Sequence, residues 1–581
     1  MGSLSHPQHK AWWKETSVYQ IYPASFKDSN NDGIGDLPGV ISKVDYLKNL
    51  GVECVWLSPI LKSPQVDMGY DISDYKVIDP QYGSIDDVDT LIKELSSRDM
   101  KLIMDLVVNH TSDQHDWFKQ SRSSKDSEYR DWYIWRPARY DADGKRHPPN
   151  NWAAAFQGSA WEWDEGTQEY YLHLFAVEQP DLNWENSKVR DAVHDIIRFW
   201  LNRGASGFRM DVINFISKEP GLPDAPVSDP NSEWQDGSRY FSAGPRLHEY
   251  LKDMGSILKE HNAFSVGEMP FVHDPKEVIK SVGYDRGELA MIFQFAHVDI
   301  DHGPLGDFSL QSPKWPLSRL REIFNTMQTF MYVNGGWNAL YIENHDQPRS
   351  VSRFANGKPE YRARSSKMLA TFLGCQAGTP FVYEGQELGM SNVPKEWPIE
   401  EYKDLKTLNH WRVLNSQTKD PAILKEAKGE YQKKARDNAR TPMQWDASPH
   451  AGFTSANTTP WMTAMPNHTE VNAASQVNDP DSPFSYWKSM LAMRKKYKDI
   501  VVYGNFEMLD ETHEKVIAYV RHSEKGEKLL VVCNFSSDKV EWKGEQVEAK
   551  ELVLSNYGHS LKDVGKGGIS LDAYEAIALL V

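Results

Sequence analysis

Eight short apolar runs, separated by stretches with helical periodicity, constrain this chain more than any other feature. They lie at 18–22, 54–58, 102–108, 207–211, 264–267, 291–295, 339–342 and 380–383, and each reads as a short strand. Between them Val88, Leu91, Ile92 and Leu95 fall at i, i+3, i+4 and i+7, as do Val193, Ile196, Ile197 and Trp200, with Leu201 following. That spacing places each set on one face of a helix. Strands alternating with helices in this way predict an α/β fold whose parallel sheet closes into a (β/α)8 TIM barrel. An open doubly wound sheet is the other solution. No Gly-rich phosphate loop follows the first strand, so the barrel is favoured.

Two excursions interrupt the alternation. Residues 111–178, after the third strand, are rich in Trp, Tyr, Pro and charge, and are too long for a simple loop. They are expected to form an inserted subdomain, with the barrel in two parts at 1–110 and 179–498. A second insertion, at about 385–478, carries Lys/Glu-rich helices and then a Gly/Asn/Thr/Pro-rich tail. From 499 to 581 the character changes to short strands, at 516–520, 529–534, 540–542, 551–554 and 576–581, with turn residues between them. This predicts an all-β C-terminal domain, an antiparallel sandwich.

Composition narrows the partners. The 581 residues carry a formal net charge of -17 and no Lys/Arg run longer than three, which argues against nucleic acid or an anionic membrane. The 20 Trp, 26 Tyr and 22 Phe are a heavy aromatic load, mostly core, that also suits stacking on sugar rings. Cys54, Cys375 and Cys533 lie far apart and read as buried thiols, not as a disulfide framework or metal cluster. Residues 1–10 are polar with no apolar leader, and no stretch approaches the length of a membrane span, so the expected location is cytoplasmic. The Asn-x-Ser/Thr triplets at Asn109, Asn457, Asn467 and Asn534 are then chance matches.

The chemistry collects at strand ends, where a barrel of this type presents its reactive groups. The fourth run ends in Arg209-Met210-Asp211, which puts guanidinium and carboxylate on one face, so that Arg209 would keep Asp211 ionised. Alone, such a pair reads as a structural ion pair. The other strand ends supply Asp105, Asn109, His110, Glu268, Glu343, His345 and Asp346. Paired carboxylates, with no catalytic Cys, no H-E-x-x-H and no nucleophile-elbow Ser, point to acid/base chemistry on an acetal, of which glycoside hydrolysis is the type reaction. Glu268 follows the apolar strand 263–267, whose surroundings would raise its pKa and keep a proton for a leaving group.

Four segments carry a family resemblance: Asp105-Leu-Val-Val-Asn-His110, Gly207-Phe-Arg-Met-Asp-Val212, Val266-Gly-Glu268 and Ile342-Glu-Asn-His-Asp346. They resemble, in order and spacing, the signature regions of the α-amylase family (glycoside hydrolase family 13). Gln179-Pro-Asp-Leu-Asn183 resembles the added signature of its oligo-1,6-glucosidase-like subgroup, and the opening segment from Trp12 to Asp28 is similar to fungal maltases and isomaltases. The resemblance implies a retaining, exo-acting α-glucosidase that releases α-glucose from the non-reducing end of small neutral α-glucosides. Asp211 would be the nucleophile and Glu268 the acid and then the base, with the two carboxyl groups ~5–5.5 Å apart. Asp346 would hold the glucose 2- and 3-hydroxyls. His110 and His345 match the histidines that contact glucose hydroxyls, and Arg209 matches the family's arginine. Asp67 and Tyr70 match a carboxylate and a stacking ring at the same subsite. Arg436 would close the pocket against Asp67, and Phe175 would add an aromatic wall.

Val212 follows the nucleophile. In this family Val at that position accompanies α-1,6 cleavage, while Thr or Ala accompanies maltases, so the resemblance leans to isomaltase-like action with broad linkage tolerance and glucosyl transfer. A simple core role for Val212 is the alternative. The loop 28–36 sets Asp28, Asn30, Asp32, the Ile34 carbonyl and Asp36 at alternate positions, in the manner of a calcium loop. Position 12 is Gly39 instead of Glu and no EF-hand helix pair flanks it, so it is no EF-hand. It is similar to the calcium site in the first barrel loop of these glucosidases and would be structural, with no organic cofactor implied; an Asx-rich turn is the alternative. Rival activities are a maltase, a trehalose-phosphate hydrolase and a sucrose isomerase. A non-catalytic transporter-associated relative would need a membrane segment and loss of a carboxylate, and Asp211, Glu268 and Asp346 are all present.

Overall fold

The computed structural model describes residues 9–303, 307–310, 313–544, 548–559, 561 and 568–581, so the first eight residues of the polar start lie outside it. All eight expected strands form one sheet: β1 (Val18–Ile21), β2 (Cys54–Leu57), β3 (Lys101–Leu106), β4 (Gly207–Met210), β5 (Phe264–Glu268), β6 (Met291–Phe293), β7 (Ala339–Leu340) and β8 (Thr379–Tyr383). Their order is β6-β5-β4-β3-β2-β1-β8-β7, every pairing is parallel, and a parallel bridge from Ile292 to Asn338 joins the two ends. The result is the closed barrel.

Period-2 alternation explains the two layers around this ring. Tyr19, Val55, Leu57, Leu102, Met104, Phe208, Met210, Ile292 and Val382 point one way and join the large core shared with the helices. Val18, Cys54, Trp56, Ile103, Phe264, Val266, Met291, Phe293 and Phe381 point the other way and fill the barrel. Toward the C-terminal ends the inward positions turn polar, giving Gln20, Asp105, Arg209 and Glu268, all buried. The register sets Arg209 beside Asp105 on one side and Val266 on the other, so the polar layer is fixed by the apolar one beneath it. Each apolar side chain fully withdrawn from water contributes about 1.5–3 kcal/mol to that scaffold.

The outer helices follow the same logic. Ile85–Ser96 starts on a Ser84/Asp87 capping box and buries Val88, Leu91 and Leu95. Ser187–Arg203 buries Val193, Ile196, Ile197, Trp200 and Leu201 and ends on Gly204, whose φ of 119° closes the helix in the left-handed conformation.

After β3 a three-stranded antiparallel sheet (Trp135–Arg136, Glu169–Leu172, Trp161–Asp164) stands over the barrel. The second insertion contributes helices Leu405–Gln417 and Pro421–Lys434. At the C-terminus a five-stranded antiparallel sheet packs on a two-stranded one, Val540–Trp542 with Ile569–Leu571, through Val516, Ala518, Val532, Trp542 and Leu571. Two strands there were not expected, Asn505–Leu509 and Ile569–Leu571. The three cysteines are free and buried. Among the described residues no helix is long and apolar enough to cross a membrane.

Candidate active site

Strand β4 delivers the site through two backbone peculiarities. At Gly207 an added Cβ would stand 2.1 Å from the Phe264 carbonyl oxygen, so only glycine lets β4 lie this close to β5. The strand then stops at Met210, one residue earlier than expected, because Val212 has φ 34° and ψ 42°. A β-branched residue in this region is a genuine outlier carrying strain of about 1–3 kcal/mol. The turn brings the Val212 N–H onto Glu268 Oε2 at 3.2 Å, and it seats the Val212 side chain, 7% exposed, in an apolar cluster with Phe215, Leu174 and Phe241. Nucleophile candidate, strained turn and acid candidate are thus one unit.

Arg209 is the hub of that unit. Its Nη1 reaches Asp105 Oδ1 at 3.0 Å and Asp211 Oδ1 at 2.6 Å, and its Nη2 reaches Glu268 Oε2 at 2.6 Å. Asp105 lies within β3 and also accepts from Tyr70 Oη and Trp56 Nε1. One guanidinium cannot compensate three buried carboxylates. Burial pushes Glu268 up to about 8, Asp211 to about 7 and Asp105 to about 6, in each case against the pull of Arg209. Arg209 does favour the charged form of Asp211, as expected, but its charge is shared three ways and the desolvation of the buried carboxylate outweighs it. The order of affinities still favours a proton on Glu268 over one on Asp211.

Around this centre the other expected residues converge. His345 Nε2 is 2.6 Å from Tyr70 Oη, with the rings stacked at 5.3 Å and 10°. Its Nδ1 is 2.8 Å from Gln20 Nε2. His110 Nε2 is 3.0 Å from the Tyr70 carbonyl oxygen, and its ring is 5.1 Å from Phe175. Burial lowers both histidines, His110 to about 4, so both are neutral hydrogen-bonding groups. Asn109 is tied inside the fold, donating to Asp181 Oδ2 at 3.0 Å and accepting from Lys218 at 3.2 Å.

Arg436 lies across the pocket, 3.5 Å from Asp67 Oδ1, 2.6 Å from Asp346 Oδ1 and 3.2 Å from Asp404 Oδ2. Burial would raise Asp346, but the guanidinium groups of Arg436 and Arg440 outweigh it and hold it well below the usual carboxylate range. Asp67 has the longest of the three contacts with Arg436, and burial pushes it up to about 7. Gln20 and Trp56 were absent from the expected set, and so were Arg440, Asp404 and Gln179. Arg440 bonds Asp346 at 2.9 Å and Asp404 at 3.0 Å, and Gln179 donates to Asp67 at 3.1 Å. The one signal for Arg440 and Gln179 in the sequence was spacing: Arg436 and Arg440 stand at i, i+4, and Gln179 opens the segment 179–183.

The loop 28–36 lies apart from this cluster. Asp28 accepts from the N–H groups of Asn30, Asn31 and Gly33 and from Thr454 Oγ1; Asn30 accepts from Asp32 N, Asp32 from Ile34 N, and Asp36 from Ser29 N and Gly39 N. These Asx turns account for the loop's shape. Among the described residues its carboxylates are not gathered as a ligand triad; His559, Asp572 and Glu575, in the C-terminal part, are the one such group. The donor set of loop 28–36, all hard oxygens at alternate positions, still suits a hard cation.

Residues 20–504 match the alpha amylase catalytic-domain family profile, and residues 506–577 match the maltogenic amylase C-terminal domain profile. The chain is 53% identical to an alpha-glucosidase of Schizosaccharomyces pombe over 98% of each chain. It is 49% identical to an oligo-1,6-glucosidase of Parageobacillus thermoglucosidasius, covering 94% of this chain and 95% of that one. The crystal structure of a trehalose-6-phosphate hydrolase from Bacillus licheniformis superimposes with a TM-score of 0.89 at 40% identity, over 98% of this chain and 100% of the other.

Proposed function

The chain belongs to the α-amylase family and is a glycosidase, and from that premise we propose that it is a retaining, exo-acting α-glucosidase leaning to α-1,6 linkages. The observation that carries this reading is the single guanidinium of Arg209 holding Asp211 and Glu268 on neighbouring nitrogens. Carboxylates gripped by the two terminal nitrogens of one guanidinium, each at 2.6 Å, do not leave the wide gap that an inverting enzyme needs for its water. In this reading Asp211 attacks the anomeric carbon as Glu268 gives its proton to the glycosidic oxygen. The C1–oxygen bond breaks and a β-glucosyl ester forms. Glu268, now a carboxylate, takes a proton from water as that water displaces Asp211, and α-glucose leaves. His110, His345, Asp346, Asp67 and Tyr70 would hold the ring, with Phe175 as a wall.

The exo mode rests on Arg436, which links Asp67 to Asp346 across the pocket. A neutral substrate suits the site, because Arg209, Arg436 and Arg440 are each committed to carboxylates and offer little to a phosphate. The test is product analysis on α-linked disaccharides with the anomer read by NMR; β-glucose as first product would overturn retention. Isomaltose should be cleaved faster than maltose. Val212→Thr should move the ratio of the two toward maltose by about tenfold, within the ~1–3 kcal/mol that a pocket methyl group commands. A large maltose preference in the unaltered enzyme would sink the α-1,6 lean.

We further assign Asp28, Asn30, Asp32, Asp36 and the Ile34 carbonyl to a structural calcium ion. Its role would be to lock the loop after β1, whose carboxylate Asp28 also holds Thr454 Oγ1 of the second insertion. Chelation should lower the melting temperature, and added Ca2+ should restore it. An unchanged melting temperature, with no metal in elemental analysis, would remove the site.

A further inference from the structure

Three residues beyond Glu268 the backbone enters the left-handed region. Phe271 has φ 65°, in the left-handed region that aromatic residues enter only at a penalty, and its side chain is 54% exposed. Strained, solvent-facing residues of this sort cluster at ligand clamps. Among the described residues Tyr140, Phe271 and Tyr284 are the exposed aromatic side chains, and of these Phe271 alone stands so close in the chain to a candidate catalytic carboxylate. The turn is anchored from behind, since Asn214 Nδ2 donates to the Pro270 carbonyl oxygen at 2.8 Å. Asn214 itself sits three residues after Asp211, so both ends of the arrangement grow from the carboxylate pair.

The ring is also held in orientation. It lies 6.0 Å from Phe215 with planes only 12° apart, and 6.3 Å from Phe241 edge-on at 76°. Phe215 in turn stacks on Phe175 at 6.1 Å and 23°, and Phe175 meets His110 at 5.1 Å. Near-parallel rings therefore link Phe175 through Phe215 to Phe271, and Phe271, stacked on Phe215, still leaves 54% of its surface to solvent. An aromatic face is electron-rich and accepts the electropositive C–H face of a pyranose. A ring already fixed by its neighbours does so without losing rotamer freedom.

Resting on the glucosidase reading, we infer that Phe271 is the platform for the sugar on the leaving-group side of the scissile bond. Glu268 must face the glycosidic oxygen, so the unit beyond that oxygen lies on the Glu268 side. Three residues of chain span at most ~10 Å, which brings the Phe271 ring within the reach of one or two sugar units.

The experiment compares isomaltotriose with α-glucosyl fluoride, which has no leaving-group sugar, for the unaltered enzyme and for Phe271→Ala, Phe271→Leu and Phe271→Trp, with melting temperatures as a check on folding. Phe271→Ala should lower the ratio of kcat/KM on isomaltotriose to that on the fluoride by about tenfold, chiefly through KM. Phe271→Leu, which keeps apolar cover over Phe215 and Phe241, should show the same loss, and Phe271→Trp should recover most of it. Equal losses on both substrates, or no change in the ratio, would overturn the platform. An unaltered enzyme unable to cleave the fluoride would instead defeat the glucosidase reading beneath it.

Discussion

Turnover by Asp211→Asn is expected to fall by 10⁴-fold or more while the fold is retained. The magnitude follows from removing a covalent intermediate: each tenfold in rate is about 1.36 kcal/mol, and an amide cannot form the glucosyl ester. The fold should survive because Asn keeps the volume and can still accept from Arg209, whose Nη1 is 2.6 Å from Asp211 Oδ1. Burial already disfavours the charge at this position. Azide should restore turnover to Asp211→Ala as a β-glucosyl azide, the inverted product, because it enters on the face the carboxylate vacates. No inverted azide product should come from Glu268→Ala. Activity near that of the unaltered enzyme in Asp211→Asn would transfer the nucleophile role elsewhere.

Glu268→Gln should lose on the order of 10²–10⁴-fold on isomaltose, and much less on substrates whose leaving group needs no proton. In the unaltered enzyme kcat/KM should rise with pH as Asp211, near 7, loses its proton, and fall as Glu268, near 8, loses its own. The two limbs belong to the coupled carboxylates together and enclose a narrow optimum. Glu268→Gln should keep the rising limb and lose the falling one. Stability moves the other way. Glu268 is ionised in the unfolded chain above about 4.3, but in the folded protein it holds its proton to about 8. Native stability therefore drops as pH climbs between those values. The Gln variant escapes that drop, so its melting temperature should decline less between pH 5 and 8. An unchanged alkaline limb in the variant would remove Glu268 from the acid role.

The barrel was legible because its strands are short apolar runs whose periodicity differs from that of the helices between them. Arg209, Asp211 and Glu268 were legible because strand ends are where such a sheet exposes polar groups. What stayed hidden was hidden for physical reasons. The left-handed turn at Val212 contradicts the preference of a β-branched residue, and only its hydrogen bond to Glu268 and the apolar seat around it make it intelligible. Asp404 and Arg440 belong to no strand, and their roles exist only because the second insertion folds back on Asp346. The upward shift of Asp211 could not be read from R-x-D, since it depends on Asp105 and Glu268 drawing on the same guanidinium. Strands Asn505–Leu509 and Ile569–Leu571 carry too little apolar pattern to stand out.

Arg436 has a consequence for the order in which the enzyme matures. It joins Asp67, from the loop beyond β2, to Asp346, beyond β7, and to Asp404 of the second insertion. Contacts between segments so distant in the chain form late, after nearer pairings have offset the entropy of loop closure. A refolding chain should therefore regain barrel helicity and buried tryptophan before its sugar pocket has a floor. Catalytic competence would then be the last property to appear, and the first to vanish when the insertion loosens.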